Sequence, residues 1–204
     1  MSFSYLALGD SYTIGEQVML AESFPYQAVQ LLRKAGKQFA APEIIAKTGW
    51  TTDELLQHMA TTQLLPVYDW VSLLIGVNNQ YRGRPVENYK LEFTTLLQKA
   101  LALSGSRPQR VMVFSIPDWG VTPFAKEKDG AKIAHEIDQY NEACRLISQN
   151  AGCFFIDITS HQRQNWFKAG YLAQDGLHPG GLEYAHWANA VYEHISTQHK
   201  AQNP

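Results

Sequence analysis

Residues 3–16 read Phe-Ser-Tyr-Leu-Ala-Leu-Gly-Asp-Ser-Tyr-Thr-Ile-Gly-Glu, an apolar run from Phe3 to Leu8 that breaks into a turn at Gly9-Asp10-Ser11. A short apolar run bounded by turn residues predicts a buried strand. The same punctuation recurs near Glu43–Lys47, Trp70–Ile75, Arg110–Ile116 and Cys153–Ile158. Between these runs, apolar residues return every three or four positions over about 24–34, from Thr51 or Thr52 onward, and over about 86–103, 131–149 and 182–196. Strands alternating with amphipathic helices predict βα units around a mainly parallel sheet covered on both faces. Right-handed crossovers then predict an α/β fold: a three-layer α/β/α sandwich whose five-stranded parallel sheet takes the flavodoxin-like order 2-1-3-4-5.

Local signals sharpen two of these helices. Phe24, Ala28, Leu31 and Leu32 fall on one side of the first, and Gly36 is placed to stop it. For the second, a hydroxyl of Thr51 or Thr52 is expected to cap the free amides ahead of Asp53 and Glu54.

A chain of 204 residues, 45% hydrophobic and 18% charged, has room for one substantial core. Residues 1–204 are expected to form one domain, with 198–204 as a frayed tail. A net charge of −2 without a lysine or arginine run lacks the positive footprint that a nucleic-acid partner requires. No stretch approaches the roughly 20 apolar residues of a bilayer span, so stable membrane insertion is not expected. Cys144 and Cys153 form neither a C-x-x-C pair nor a zinc spacing and read as buried thiols. There is no H-E-x-x-H and no G-x-x-x-x-G-K-[ST], so neither a metal nor another cofactor is expected. The first residues lack the features of a signal peptide, which favours the cytoplasm, although a mature secreted chain would read the same. Nothing in the sequence speaks to oligomeric state.

In open α/β sheets, ligands bind beyond the carboxyl ends of the strands. Four segments fall there: Gly9-Asp10-Ser11, Thr48-Gly49, Gly76-Val77-Asn78-Asn79, and Asp175-Gly176-Leu177-His178 before the last helix. A serine hydroxyl is a poor nucleophile at neutral pH and needs a base within hydrogen-bond reach and an acid that orients the base. Ser11, His178 and Asp175 can supply these three roles. Acyl transfer also needs donors aimed at the developing oxyanion; the candidates are the amides of Ser11 and Gly49 and the side chain of Asn78. Asp10 is expected to bond nearby amides and Asn79 to form a turn or support the site. Trp50 and Tyr81, which directly follow oxyanion segments, are candidate pocket walls. Trp119, Phe124, Trp166 and Tyr171 are assigned to packing.

Taken singly, each signal also has a plain structural reading. Gly9-Asp10-Ser11 could be a strand-to-helix turn, and Asp175 with His178 a surface pair. Their arrangement in one order resembles the SGNH hydrolases, the GDSL esterase and lipase family. In that resemblance Ser11, Gly49, Asn78 and His178 stand for the four letters, and Asp175 lies three residues before the histidine. The likeness spans residues 9–179, and Leu8 to Glu16 looks like the opening of many bacterial members. Tyr12 departs from the leucine of the name, and Asn79 stands where an aspartate usually follows the asparagine. The resemblance implies a serine esterase acting on small-molecule carboxylic esters through an acyl-enzyme on Ser11.

A thioesterase, a lysophospholipase or a carbohydrate deacetylase would use the same machinery. Short acyl groups are expected, because the longest loop, about 117–130, is polar at Lys126 to Asp129 and no segment is left to build a greasy lid. Outside enzymes, a flavodoxin-like small-molecule binding module could cradle a phosphate at Gly9 to Thr13, but it leaves Asp175 and His178 idle. A receiver domain lacks a second carboxylate after the third strand, and an ordinary α/β-hydrolase lacks its G-x-S-x-G elbow.

Overall fold

In the computed structural model, which describes residues 2–202, the apolar runs form β1 (Tyr5–Asp10), β2 (Glu43–Lys47), β3 (Trp70–Leu74), β4 (Val111–Phe114) and β5 (Phe154–Ile156). All pairings are parallel, and the order is β2-β1-β3-β4-β5. The three central strands are buried along their whole length, as a sheet covered on both faces requires. β1 lies two residues further along than Phe3–Leu8. Gly9 and Asp10 still pair with Ala46 and Lys47 of β2, while Phe3 makes an isolated bridge to Phe39.

The helices among the described residues are α1 (Ser11–Ile14), α2 (Phe24–Lys34), α3 (Thr52–Thr61), α4 (Val77–Tyr81), α5 (Val86–Leu103), α6 (Gly130–Asn150), α7 (Thr159–Asn165) and α8 (Gly181–Gln202). On one face α2 and α8 pack together over β4, where the Phe24 ring lies 4.9 Å from Phe114 and 6.0 Å from Trp187. On the other, α5 sits between α3 and α6, and the Tyr89 and Tyr140 rings approach to 4.6 Å. Full burial of a side chain such as Phe24 contributes about 1.5–3 kcal/mol, so these apolar stripes are what hold the layers together.

Thr51 precedes α3 as the N-cap of a capping box with Glu54: its side chain faces the Glu54 amide, the Glu54 carboxylate accepts from the Thr51 amide at 2.9 Å, and the Thr51 hydroxyl donates to Asp53 at 2.5 Å. The Thr52 amide is satisfied from another segment, by Asn79 Oδ1 at 3.1 Å, which ties α3 to α4. At the other end of the chain, residues 198–202, expected as tail, continue α8, whose preceding turns are anchored by buried Val191 and Ile195. Asn203 and Pro204 lie outside the described residues.

Candidate active site

Ser11 is the first residue of α1, directly beyond the carboxyl end of β1. Asp10 caps that short helix by accepting from the Tyr12 amide at 3.0 Å, and Gly15 ends it in the left-handed conformation. The Asp175–His178 turn reaches the same place from the loop between α7 and α8, which is pinned by a bridge between Leu172 and Pro179. His178 Nε2 lies 3.1 Å from Ser11 Oγ, and Nδ1 lies 2.6 Å from Asp175 Oδ2. The other carboxylate oxygen of Asp175 accepts from the amides of Leu177 and His178, both at 3.0 Å. Burial raises the Asp175 pKa, but the hydrogen bonds from His178 and these amides outweigh it and hold the carboxyl below its usual range. An ionised carboxylate only accepts, so Nδ1 carries the proton and Nε2 is left to accept from the Ser11 hydroxyl.

Gly49 and Asn78 line the same cavity as Ser11 and His178. Gly49 has φ +83°, a conformation that a side chain would strain. Asn78 Nδ2 donates to Trp50 O at 3.1 Å and makes a long contact of 3.4 Å with Asp10 Oδ2. Burial pushes the Asp10 carboxyl up to about 7, against the lowering effect of the bonds from Tyr12 and Asn78. Trp50 therefore touches the site through its carbonyl, while its ring packs 4.7 Å from His58 on α3.

The cavity, of about 180 Å³, is mainly apolar. Val77, Tyr81, Trp119, Phe124 and Leu177 form much of its wall. Assigning Trp119 and Phe124 to packing alone is thus revised. Both belong to the 117–130 loop, where two 3-10 turns, Trp119–Val121 and Pro123–Ala125, carry them back over the strand ends. The available signal was position: both follow β4 on the side where ligands bind. Beside the cavity, Arg82 donates to Gly49 O at 2.7 Å and pairs with Glu54, and Arg84 pairs with Asp53.

Asp157 and His161, an acid and a base four residues apart after β5, do not pair. Asp157 accepts from Ser160, and His161 bonds Glu183 at 2.9 Å and stacks on His186. Among the described residues no group of three His, Cys, Asp or Glu could hold a metal ion, and no helix is long and apolar enough to cross a membrane. Cys144 and Cys153 are both free and buried.

A model of the GDSL-like lipase/acylhydrolase family matches residues 7–185, which is most of the chain. The protein belongs to this family. The solved lipase/acylhydrolase from Enterococcus faecalis superimposes with a TM-score of 0.76 at 17% identity, covering 96% of each chain. Axe2, an acetylxylan esterase from Geobacillus stearothermophilus, gives 0.74 at 18% identity over 95% of this chain and 94% of its own. The esterase EstA from Pseudoalteromonas sp. gives 0.68 at 14% identity over 98% and 97%. Likeness at these identities is one of fold. No curated protein matches the sequence at a significant level.

As a GDSL hydrolase the chain carries an unusual residue at Asn79, and the surroundings suit it. Fully buried, Asn79 accepts from the Thr52 amide and donates to Thr52 Oγ1 at 2.6 Å and toward Glu92 Oε2 at 3.4 Å. An aspartate could accept from the amide but would set a second carboxylate against Glu92. Tyr12, in place of leucine, is buried with its ring 5.0 Å from the His178 ring, packed beside the imidazole.

Proposed function

We propose that the protein is a serine esterase that hydrolyses short-chain carboxylic esters, with Ser11 as nucleophile, His178 as general base and Asp175 as the group that orients it. The observation that carries this reading is the continuous line from Asp175 Oδ2 through His178 to Ser11 Oγ, at 2.6 and 3.1 Å, at the edge of an apolar cavity. As Ser11 Oγ attacks the ester carbonyl, His178 Nε2 takes the hydroxyl proton and Asp175 stabilises the imidazolium. The oxyanion is held by the amides of Ser11 and Gly49 and by Asn78 Nδ2, for which the long contact to Asp10 is the one exchanged. Collapse breaks the ester bond, and His178 returns the proton to the departing alkoxide. Water, activated by the same imidazole, then releases the acid from Ser11.

Cavity size supports a small acyl group. A cavity of about 150 Å³ holds benzene, and the volume here is about 180 Å³. Acyl groups of about six carbons or fewer fit that comparison. A fluorophosphonate is expected to label Ser11, and Ser11→Ala to abolish hydrolysis of p-nitrophenyl butanoate without loss of fold. A label on another serine, or wild-type rate in the alanine variant, overturns the assignment.

A further inference from the structure

Gln80 is the last but one residue of α4, directly after Asn79, and its side chain is almost completely buried. Its Oε1 accepts from the Trp119 indole Nε1 at 2.7 Å, and its Nε2 donates to Glu136 Oε2 on α6, also at 2.7 Å. The Glu136 carboxylate can only accept, so the amide must turn its NH2 toward α6 and its oxygen toward the indole. A flipped amide would set oxygen against carboxylate and NH2 against indole N–H, losing both bonds. One orientation of Gln80 is therefore selected, and with it one orientation of the Trp119 ring.

Trp119 is 6% exposed, whereas Tyr81 and Phe124, which meet it edge-on at 5.1 and 6.0 Å, are 53% and 46% exposed. The indole is thus the inner wall of the cavity and the other two rings its rim. The Trp119 backbone is fixed independently. Buried Asp118 accepts from the Gly120 amide at 2.9 Å and from Arg163 at 2.7 Å, and its own amide donates to Gln162 at 2.7 Å. With the backbone anchored, rotation of the indole is the freedom left, and Gln80 removes it.

We propose that Gln80, held by Glu136, is a positioning residue that locks the Trp119 indole as the inner wall and so sets the upper length of the acyl group. This rests on the reading of Ser11 as the residue that receives the acyl group. Of the apolar walls, Val77, Tyr81, Trp119 and Phe124 follow β3 or β4 and Leu177 lies beside His178, while on the β2 side the Thr48 hydroxyl is bonded to the Glu16 carboxylate. The hydrocarbon part of an ester is accordingly directed toward Trp119. Each methylene that stays outside forgoes about fourfold in kcat/KM, the equivalent of about 0.8 kcal/mol.

The test is the ratio of kcat/KM for p-nitrophenyl decanoate over butanoate, below micelle concentrations, in the full chain. Gln80→Met keeps side-chain length but makes neither bond, and Trp119→Ala removes the wall. Both are expected to raise the ratio by about tenfold or more, since six further methylenes become accommodated. Glu136→Leu should raise it as well, and Glu136→Gln, which still accepts from Gln80, should keep the wild-type ratio. An unmoved ratio in Trp119→Ala shows that the indole is not the limiting wall, and one unmoved in Gln80→Met alone shows that Gln80 does not hold it. If Gln80→Met fails to fold, the surface pair decides, and equal ratios in Glu136→Leu and Glu136→Gln overturn the proposal. Ser11→Ala measured alongside separates the two levels. Activity retained there fails the serine esterase reading, whereas an inactive Ser11→Ala with unmoved ratios fails this inference alone.

Discussion

Asn78 and Asn79 are neighbours in α4, yet one faces the cavity and the other is sealed against α3 and α5. Asn78→Ala is expected to lower kcat by about 10² or more with a smaller change in KM, because its amide is assigned to the transition-state oxyanion. Asn79→Ala should act mainly on stability, at about 1–3 kcal/mol, by leaving the buried Thr52 amide without its acceptor. Steady-state kinetics and urea unfolding on both variants check the ranking, and the reverse order would place the oxyanion donor one residue along. Asp10 makes a second prediction. Its carboxyl, pushed up to about 7 by burial from the ordinary value of 3.8, stays protonated in the folded chain where the unfolded chain has lost the proton. Between those values the folded state binds more protons, so this group's contribution to stability falls as pH rises, by up to about 1.4 kcal/mol per unit. Asp10→Asn cannot titrate. Urea unfolding should show the variant gaining on wild type from pH 5 to pH 8, and a pH-independent difference would contradict this.

Among the secondary-structure elements, α2 and α5 have the bounds that their periodicity predicts, because 11 and 18 residues give an apolar stripe enough turns to be recognised. The 4-residue α1, 5-residue α4 and 7-residue α7 are too short for a period to appear, and they form where a strand end or a cap supports them. α1 depends on Gly9 for packing, not for its backbone angles. A Cβ there would lie 2.1 Å from Thr13 Oγ1 and 2.4 Å from Leu74 O, and the second atom is backbone of the neighbouring strand. Gly9→Ala should therefore destabilise by about 1–3 kcal/mol or more and lower activity, since the strand end that shifts carries Ser11. Gly36→Ala, at φ +80° but with open space around it, should cost about 1–2 kcal/mol with activity retained. Thermal unfolding and butanoate hydrolysis on the two variants test the contrast, and activity lost equally in both would contradict it.

The molecule as a whole places five strand ends, four polar segments and one aromatic-walled cavity on a single edge of the sheet. The wild-type chain-length profile is the prediction that belongs to this scale. With about 180 Å³ available, kcat/KM over p-nitrophenyl esters from two to sixteen carbons should peak at acetyl to hexanoyl. A maximum at ten carbons or beyond would overturn the short-chain reading and leave the Ser11 assignment intact. The layer architecture, the strand order and the gathering of Ser11, Gly49, Asn78, Asp175 and His178 were legible in the sequence. A parallel sheet needs apolar runs between amphipathic helices, and chemistry in such a sheet collects after the strands. The walls of the cavity were not legible. Trp119 and Phe124 lie in a loop without a period, and the direction of the indole is set by the adjacent Asp118 together with Gln80, Gln162 and Arg163, which come from two other parts of the chain. The bond from the Thr52 amide to Asn79, which ties α3 to α4, is decided in the same way. Patterns of burial are local and repeat along the chain, so the sequence determines them by itself; the aim of a single side chain is set by partners distant in sequence, and only the tertiary structure brings those together.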